Sequence, residues 1–440
     1  QAEDGIRDRS PSRGLGDVYK RQISTRLNEG TNQIMENRNS RFVNCTVIDA
    51  LSTEPREVHI AVENGEIAEV SESAFSDNSG IQTIDLRNKY LLPGLWDVHT
   101  HIGRGIPDHE ARDETTAQRT VRAGENCRRA LNLGITSLRA VGEKDFIDVA
   151  WKEAFNSGQY IGPNLYTCGW FITTTAGHFL KSGCAVEVDG PTEYIRTIRE
   201  QIKNGVDFIK LNLTGGVMGP QWDKMPNTFP LQDELKAAFD VCEQRGYKVV
   251  AHAGGVDGIK KAISLGAHTL EHGYQFDDEA INMLADSKTY YVPTLSLTHM
   301  NRGEAFADSE FQLDWMKEHP IDESYRERAI EAAEMHASGF KKALESGVKI
   351  ASGSDLDLPF GALFETQMLV KCGMTEHQAI TAATLTSAEV CLAENKNGTI
   401  EPNKKADFII LNSNPLENIS NLQDVCMVVK DGRIVRNDST

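Results

Sequence analysis

The chain has 440 residues, enough for one large domain and a smaller one, and its 46 Lys and Arg against 64 Asp and Glu give a formal charge of −18. A field of that sign repels phosphates, which excludes nucleic acid and anionic membrane surfaces as main partners. No stretch is apolar over the length a transmembrane helix needs, and the charge is compatible with a soluble enzyme.

Residues 1–34 stand apart from the rest. "QAEDGIRDRSPSRGLGDVYKRQ" has no initiator Met, no hydrophobic signal core and no periodicity, and it resembles a translated linker or tag. The segment is read as a non-native or disordered leader, with Met35 as the natural start and no secretion signal. The eight cysteines (45, 127, 168, 184, 242, 372, 391 and 426) contain no C-x-x-C pair, which points to buried thiols in a reducing cytoplasm. Cys168 is assigned to packing.

From Arg41 to Thr83 the chain alternates in short runs, and "ENGEI" between two of them predicts a hairpin. "ADFIILN" and "DVCMVVKDGRIV", with its "KDG" turn, repeat the pattern near the end. Residues 35–92 and 393–440 are therefore expected to form one small, discontinuous β-sandwich domain. Asn403 stands where a residue of positive φ would close a turn.

Residues 93–392 alternate strand-like runs with helical ones. The strand-like runs are "LLPGLWDVHTH", "GITSLRAV", "NLYTCGW", "DFIKLNLTGG", "KVVAHAGG", "HTLEHG", "YYVPTLSL" and "VKIASGSD". Several intervening helices end in Gly just before the next strand. Eight such units predict an α/β fold of the (β/α)8 TIM-barrel type. A doubly wound open sheet is the alternative, but no G-x-G-x-x-G follows the first strand.

In such barrels chemistry collects at the C-terminal strand ends. Six polar residues fall there: His99 and His101 after the first strand, Lys210 in the fourth, His252 and His272 ending the fifth and sixth, and Asp355 ending the eighth. Spacing of two puts Asp97, His99 and His101 on one strand face. Isolated strand-end imidazoles often hydrogen-bond only backbone or water, but joint placement on consecutive strands with an Asp on the last favours a metal site. Lys210 inside "FIKLNL" carries a desolvation cost of several kcal/mol unless paired, shifted or modified. It is either carboxylated to a metal-bridging carbamate or salt-bridged to Asp355 beside a single metal. Of the other histidines, His59, His109, His319, His336 and His377 read as solvent-facing and His268 as surface or packing; His299 is within reach of the mouth.

Together "PGLWDVHTH", "FIKLNLTGGVM", "VVAHAGG", "LEHG", "GSD" and "GTIEPNKKADFIILNSNPLENI" resemble the amidohydrolase superfamily from Arg41 to Val435. The branch resembled is the imidazolonepropionase-related one, which includes prolidase (Xaa-Pro) dipeptidases. The resemblance implies that His99, His101 and Asp355 hold one divalent metal, His252 and His272 a second, and N6-carboxylated Lys210 bridges them. Zn²⁺ suits such ligands best. It implies hydrolysis of a C–N amide bond by a metal-bridging hydroxide. Asp355 would act as base and then acid, and His272 would act through the metal that polarises the carbonyl. Asp97 is expected to orient a ligating imidazole or to make a hydrogen bond within a barrel layer.

His178, in "TTTAGHFL", matches a substrate-contacting Gly-Gly-His-like loop of the family, with Ala176 replacing the first Gly. Arg104 is either a contact to a substrate carboxylate or a solvated surface residue. Gly254 stands where many relatives have a second His. The loop "GPQWDKMPNTFPLQDE" offers Trp222 and Phe229 but no tyrosine to grip a terminal carboxylate. The expected substrate is a small amide, a dipeptide or N-acyl amino acid, with Xaa-Pro among the candidates, and the resemblance implies a homo-oligomer. A cyclic amidohydrolase or deaminase is the alternative within the superfamily. A non-catalytic barrel scaffold is the alternative outside it, and it expects missing ligands, of which there are none.

Overall fold

A computed structural model describes residues 38–76, 80–104, 114–217, 219–300, 323–356 and 360–438. The leader 1–34, His109 and His319 lie outside them. Strand β1 (Ser40–Val47) pairs antiparallel with β2 (Arg56–Glu63), which turns into β3 (Glu66–Ser71). Asn64 and Gly65 make that turn at φ of 54° and 85°, the backbone that "ENGEI" predicts. Strands β4 (Gln82–Asp85) and β5 (Tyr90–Pro93) run parallel to β1.

The middle of the chain alternates strands and helices. Strand β6 (Leu95–Thr100) leads through α1 (Thr116–Asn132) to β7 (Ile135–Ala140) and through α2 (Ile147–Asn156) to β8 (Asn164–Thr167). Then come β9 (Phe171–Thr173), β10 (Ala185–Glu187), α3 (Pro191–Lys203), β11 (Phe208–Asn212), α4 (Gln232–Arg245), β12 (Lys248–Ala253), α5 (Val256–Ser264), β13 (Thr269–His272), α6 (Asp278–Asp286), β14 (Tyr290–Val292), α7 (Leu295–Met300), α8 (Glu323–Glu345) and α9 (Gly361–Lys371). Local chemistry sets the helix ends. Thr115 and Gln118 form a reciprocal capping box at α1, Pro191 opens α3, and Asp277 accepts from the Ala280 N–H at α6. Gly246 leaves α4 at φ 74°, as the glycine stops predict.

These strands form two parallel arcs, β6-β7-β8 and β10-β9-β11-β12-β13-β14. Two parts of the expectation do not hold. In "YYVPTLSL" the strand ends at Val292, before Pro293, and "LSL" opens helix α7 instead. In "VKIASGSD" only single bridges form, Tyr291 with Ile350 and Thr100 with Leu356. Ala, Ser and Gly in that run have little β-propensity. The assigned strands are therefore not one continuous eight-stranded ladder. Hydrogen bonds still dock the run on β6: the Val98 N–H donates to Ser352 O at 3.0 Å and the Asp355 N–H to His99 O at 2.7 Å.

Gly353 allows that approach. A Cβ there would lie 2.7 Å from His99 Cβ and 2.8 Å from His99 N, and backbone cannot yield cheaply. Gly353→Ala is expected to cost about 1–3 kcal/mol, read as a Tm lower by several degrees; an unchanged Tm would show that the approach is loose.

The chain then returns to the first sheet. Strand β15 (Phe408–Leu411) pairs antiparallel with β5, followed by β16 (Val425–Lys430) and β17 (Arg433–Asn437). Both ends of the chain thus share one sheet, β17-β16-β15-β5-β1-β2-β3, with β4 beside β1. Strand β5 joins the two sets of strands by hydrogen bonds, parallel to β1 and antiparallel to β15. Asn403 sits at φ 69°, the turn conformation expected of it. The sheet has its own apolar core, in which Phe42 and Phe408 meet edge to face at 4.9 Å, worth about 0.5–1.5 kcal/mol beyond area. The larger core lies between the parallel strands and the inner faces of the helices, with Ile209, Ala251 and Leu270 against Leu235, Ile259 and Ile281. Among the described residues no helix is long and apolar enough to cross a membrane.

Candidate metal centre

The C-terminal ends of β6, β11, β12 and β13 and the run before Asp355 converge. Asp355 Oδ1 lies 3.5 Å from His99 Nε2 and 3.3 Å from His101 Nε2, and Oδ2 lies 3.9 Å from His272 Nδ1. The His272 ring is 4.8 Å from that of His99 and 4.4 Å from that of His252. One ligand atom each of His99, His272 and Asp355 falls within a 4.8 Å group, a spacing that could hold an ion. His272 and Asp355 adopt left-handed backbone, at φ 71° and 52°. Strain of that kind costs about 1–3 kcal/mol and persists where surrounding structure enforces it, often at functional sites.

Each imidazole is tied by one ring nitrogen. His99 Nδ1 meets Glu271 Oε2 at 2.5 Å, His101 Nδ1 meets Gly142 O at 2.9 Å, His252 Nε2 meets Gly215 O at 3.1 Å, and His272 Nδ1 meets Thr294 Oγ1 at 2.8 Å. A nitrogen that donates to an acceptor leaves the other with its lone pair, the form that binds metals. Burial holds His252 and His272 well below the usual histidine pKa and His99 at about 4, so these rings are neutral. Burial raises the Asp355 carboxyl, but the His99 and His101 rings and Arg104 outweigh it and keep it ionised.

Lys210 Nζ is buried and has no hydrogen-bond partner among the described residues. Burial lowers its pKa to about 8 although Glu271 and Asp355 favour the cation. The salt bridge to Asp355, one of the two alternatives the sequence leaves open, is not formed. Four oriented imidazoles, a carboxylate and an orphaned buried amine fit divalent cations.

Asp97 does not orient an imidazole. Its oxygens accept from the His99 N–H at 3.1 Å, the Ser354 N–H at 3.0 Å and the Ser354 hydroxyl at 2.6 Å, fixing the backbone of both ligand-bearing segments. Glu271 is the residue that holds the His99 ring, and Arg139 clamps both Glu271 oxygens at 2.9 and 3.0 Å. Burial raises the Glu271 carboxyl, yet Arg139 and His99 bring it to about 2.

His178 reaches the same mouth, its ring stacked on His252 at 4.2 Å. Arg104 lies over the Phe179 ring at 4.5 Å, and its charge helps to hold the Asp355 carboxyl low. His336, expected to face solvent, is buried: α8 turns it toward α7, where its Nδ1 is 3.0 Å from Thr298 Oγ1. His299 joins that cluster, with Nδ1 2.9 Å from Leu295 O. His268 packs, with Nε2 on Val390 O at 2.8 Å. Trp222 is exposed on its loop. Cys168 is buried, with its thiol pushed well up by burial, consistent with packing.

Comparison with known proteins places this geometry in a family. Residues 90–435 match the amidohydrolase family model. Ochratoxinase of Aspergillus niger is 30% identical over 384 residues, covering 79% of this chain and 75% of that protein. A crystal structure of a Xaa-Pro dipeptidase with bound methionine superposes with a TM-score of 0.81 at 30% identity, over 91% of this chain and 100% of that one. Imidazolonepropionase of Kosmotoga olearia is 23% identical over 87% of this chain and 91% of its own.

Proposed function

The chain belongs to the amidohydrolase family, and from that premise we propose that it is a binuclear metal-dependent hydrolase, built on a (β/α)8 barrel, that cleaves the amide bond of a dipeptide or N-acyl amino acid. The observation that carries this reading is the set of four imidazoles, each tied by one nitrogen, around the ionised Asp355 and the unpartnered Lys210 amine.

His99, His101 and Asp355 would hold one ion and His252 and His272 the other, with carboxylated Lys210 between them; Zn²⁺ suits the donor set. Bound ions of this kind supply hydroxide near neutral pH and polarise a carbonyl. Asp355, within 3.5 Å of two rings, takes the proton of the attacking water and returns it to the leaving amine nitrogen. His178 and Arg104 flank the opening and contact the acyl or carboxylate part of the substrate. Ochratoxinase and the Xaa-Pro dipeptidase support an amide substrate. The eight free thiols support a reducing, cytoplasmic setting.

The test is metal analysis of the purified protein, with activity screened against dipeptides, N-acyl amino acids, lactams and imidazolones before and after exhaustive chelation. About two divalent ions per chain, and activity that disappears with them and returns on re-addition, is the expected result. Full turnover in metal-stripped protein overturns the reading, and exclusive action on cyclic amides replaces the substrate class.

A further inference from the structure

The hydrogen bond that holds His178 from behind, to a buried carboxylate, has no part in the chemistry above. Asp223 is fully buried in the loop after β11. Its carboxylate accepts from His178 Nδ1, 2.9 Å from each oxygen, from the Phe179 N–H at 3.2 Å and from the Gly216 N–H at 3.1 Å. The sequence "LNLTGGVMGPQWDK" supplies the space. A Cβ at Gly215 would lie 2.6 Å from Asp223 Oδ1, one at Gly219 would collide with Oδ2, and one at Gly216 would lie 2.5 Å from His178 Cε1. The loop thus closes around one carboxylate and one imidazole.

Both Asp223 oxygens already accept from backbone N–H groups, so the carboxylate meets His178 as an acceptor and His178 Nδ1 carries the proton. His178 Nε2 makes no hydrogen bond among the described residues, the side chain keeps 11% exposure, and the ring stacks on His252. In the neutral ring that nitrogen is an acceptor whose direction is fixed. We propose that Asp223 is a positioning residue: it sets the tautomer of His178 and locks the ring so that Nε2 meets a hydrogen-bond donor of the substrate. This rests on the amide-hydrolase reading of the centre and adds to it the residue that aims its substrate contact.

The test compares Asp223→Asn, His178→Ala and the double variant in the metal-loaded enzyme. Asparagine keeps the shape but can donate to Nδ1, which moves the ring proton to Nε2; a tautomer change of this kind is costly in other enzymes. Each single variant is expected to lower kcat/KM by about 10–100-fold with metal content and Tm unchanged. Adding Asp223→Asn to His178→Ala should cost less than about twofold more, because the two act as one unit. A downfield, exchange-protected ring N–H proton resonance should be present in wild type and absent from both single variants, a readout that needs no substrate. Additive losses in the double variant, or an unaltered resonance in Asp223→Asn, overturns the proposal. If Asp223→Asn does not fold, Gly216→Ala serves instead: its methyl should harm wild type and be harmless in His178→Ala. A wild type that hydrolyses no amide refutes the functional reading, while the resonance still decides the Asp223–His178 contact.

Discussion

Lys210→Met is expected to fold as well as wild type, to bind less metal and to lose at least about 10³-fold in turnover. The reasoning starts from the side chain's surroundings. Nζ is enclosed in the parallel sheet, where Lys210 pairs with Val250, and it finds no hydrogen-bond partner. A cation there has no hydrogen bond, and Glu271 and Asp355 favour it only through space; an apolar side chain of similar length is expected to be neutral or stabilising in its place. Met should therefore leave the Tm of metal-free protein unchanged or raise it. A lysine retained against that cost has work to do, and an amine whose pKa is lowered to about 8 is available near neutral pH to add CO₂. Metal content by elemental analysis, turnover, and Tm with and without metal form the check. Wild-type turnover and metal content in Lys210→Met would remove the bridging role, and a collapse of the metal-free fold would show that the lysine is structural.

Glu271→Ala is expected to do the opposite, damaging both stability and metal binding. It leaves Arg139 buried, with one guanidinium side facing a void, and losing one partner of a buried pair costs about 3–5 kcal/mol. It also frees the His99 ring to turn or change tautomer, for which a metal-affinity loss of about 10–100-fold is expected. The two effects separate in the double variant Glu271→Leu with Arg139→Leu. That variant should recover most of the Tm, since no charge is stranded, but none of the metal affinity, since His99 still lacks its partner. Thermal melts and metal titration decide it. Recovery of both would mean that Glu271 serves Arg139 alone.

What the sequence discloses and what it hides divide along a physical line. Strand-end histidines and the aspartate are legible because strand period and the repeated strand–helix pattern put them at one end, and the structure brings them together there. The hairpin at Asn64 and the turn at Asn403 are legible because their backbone demands few residue types. The partners of those histidines are harder. Arg139 and Glu271 sit in apolar runs, "SLRAV" and "TLEHG", and carried the same signal as Lys210, a charge inside a buried strand. Their pairing spans 132 residues and cannot be read from local spacing. Asp223 lies in a loop whose path depends on three glycines and not on any period. His336 is hidden from a local reading because one helical turn of its surroundings is polar, while its own direction is inward. The run expected as the last strand makes single bridges and not a ladder, and Gly353 shows why small residues are needed there.

The sheet that joins both ends of the chain has a consequence for biosynthesis. Arg38 bonds the backbone of Asp431, 393 residues further on, and β5 receives β15 only after everything between them has been made. At ribosomal speeds of about 5–20 residues per second, the edge of β5 waits for some tens of seconds while everything between is made. Throughout that interval an apolar strand with unpaired N–H and C=O groups is open to other nascent chains. Shielding of that edge until β15 emerges is therefore expected to matter for the yield of native protein, and slowing synthesis should lower it.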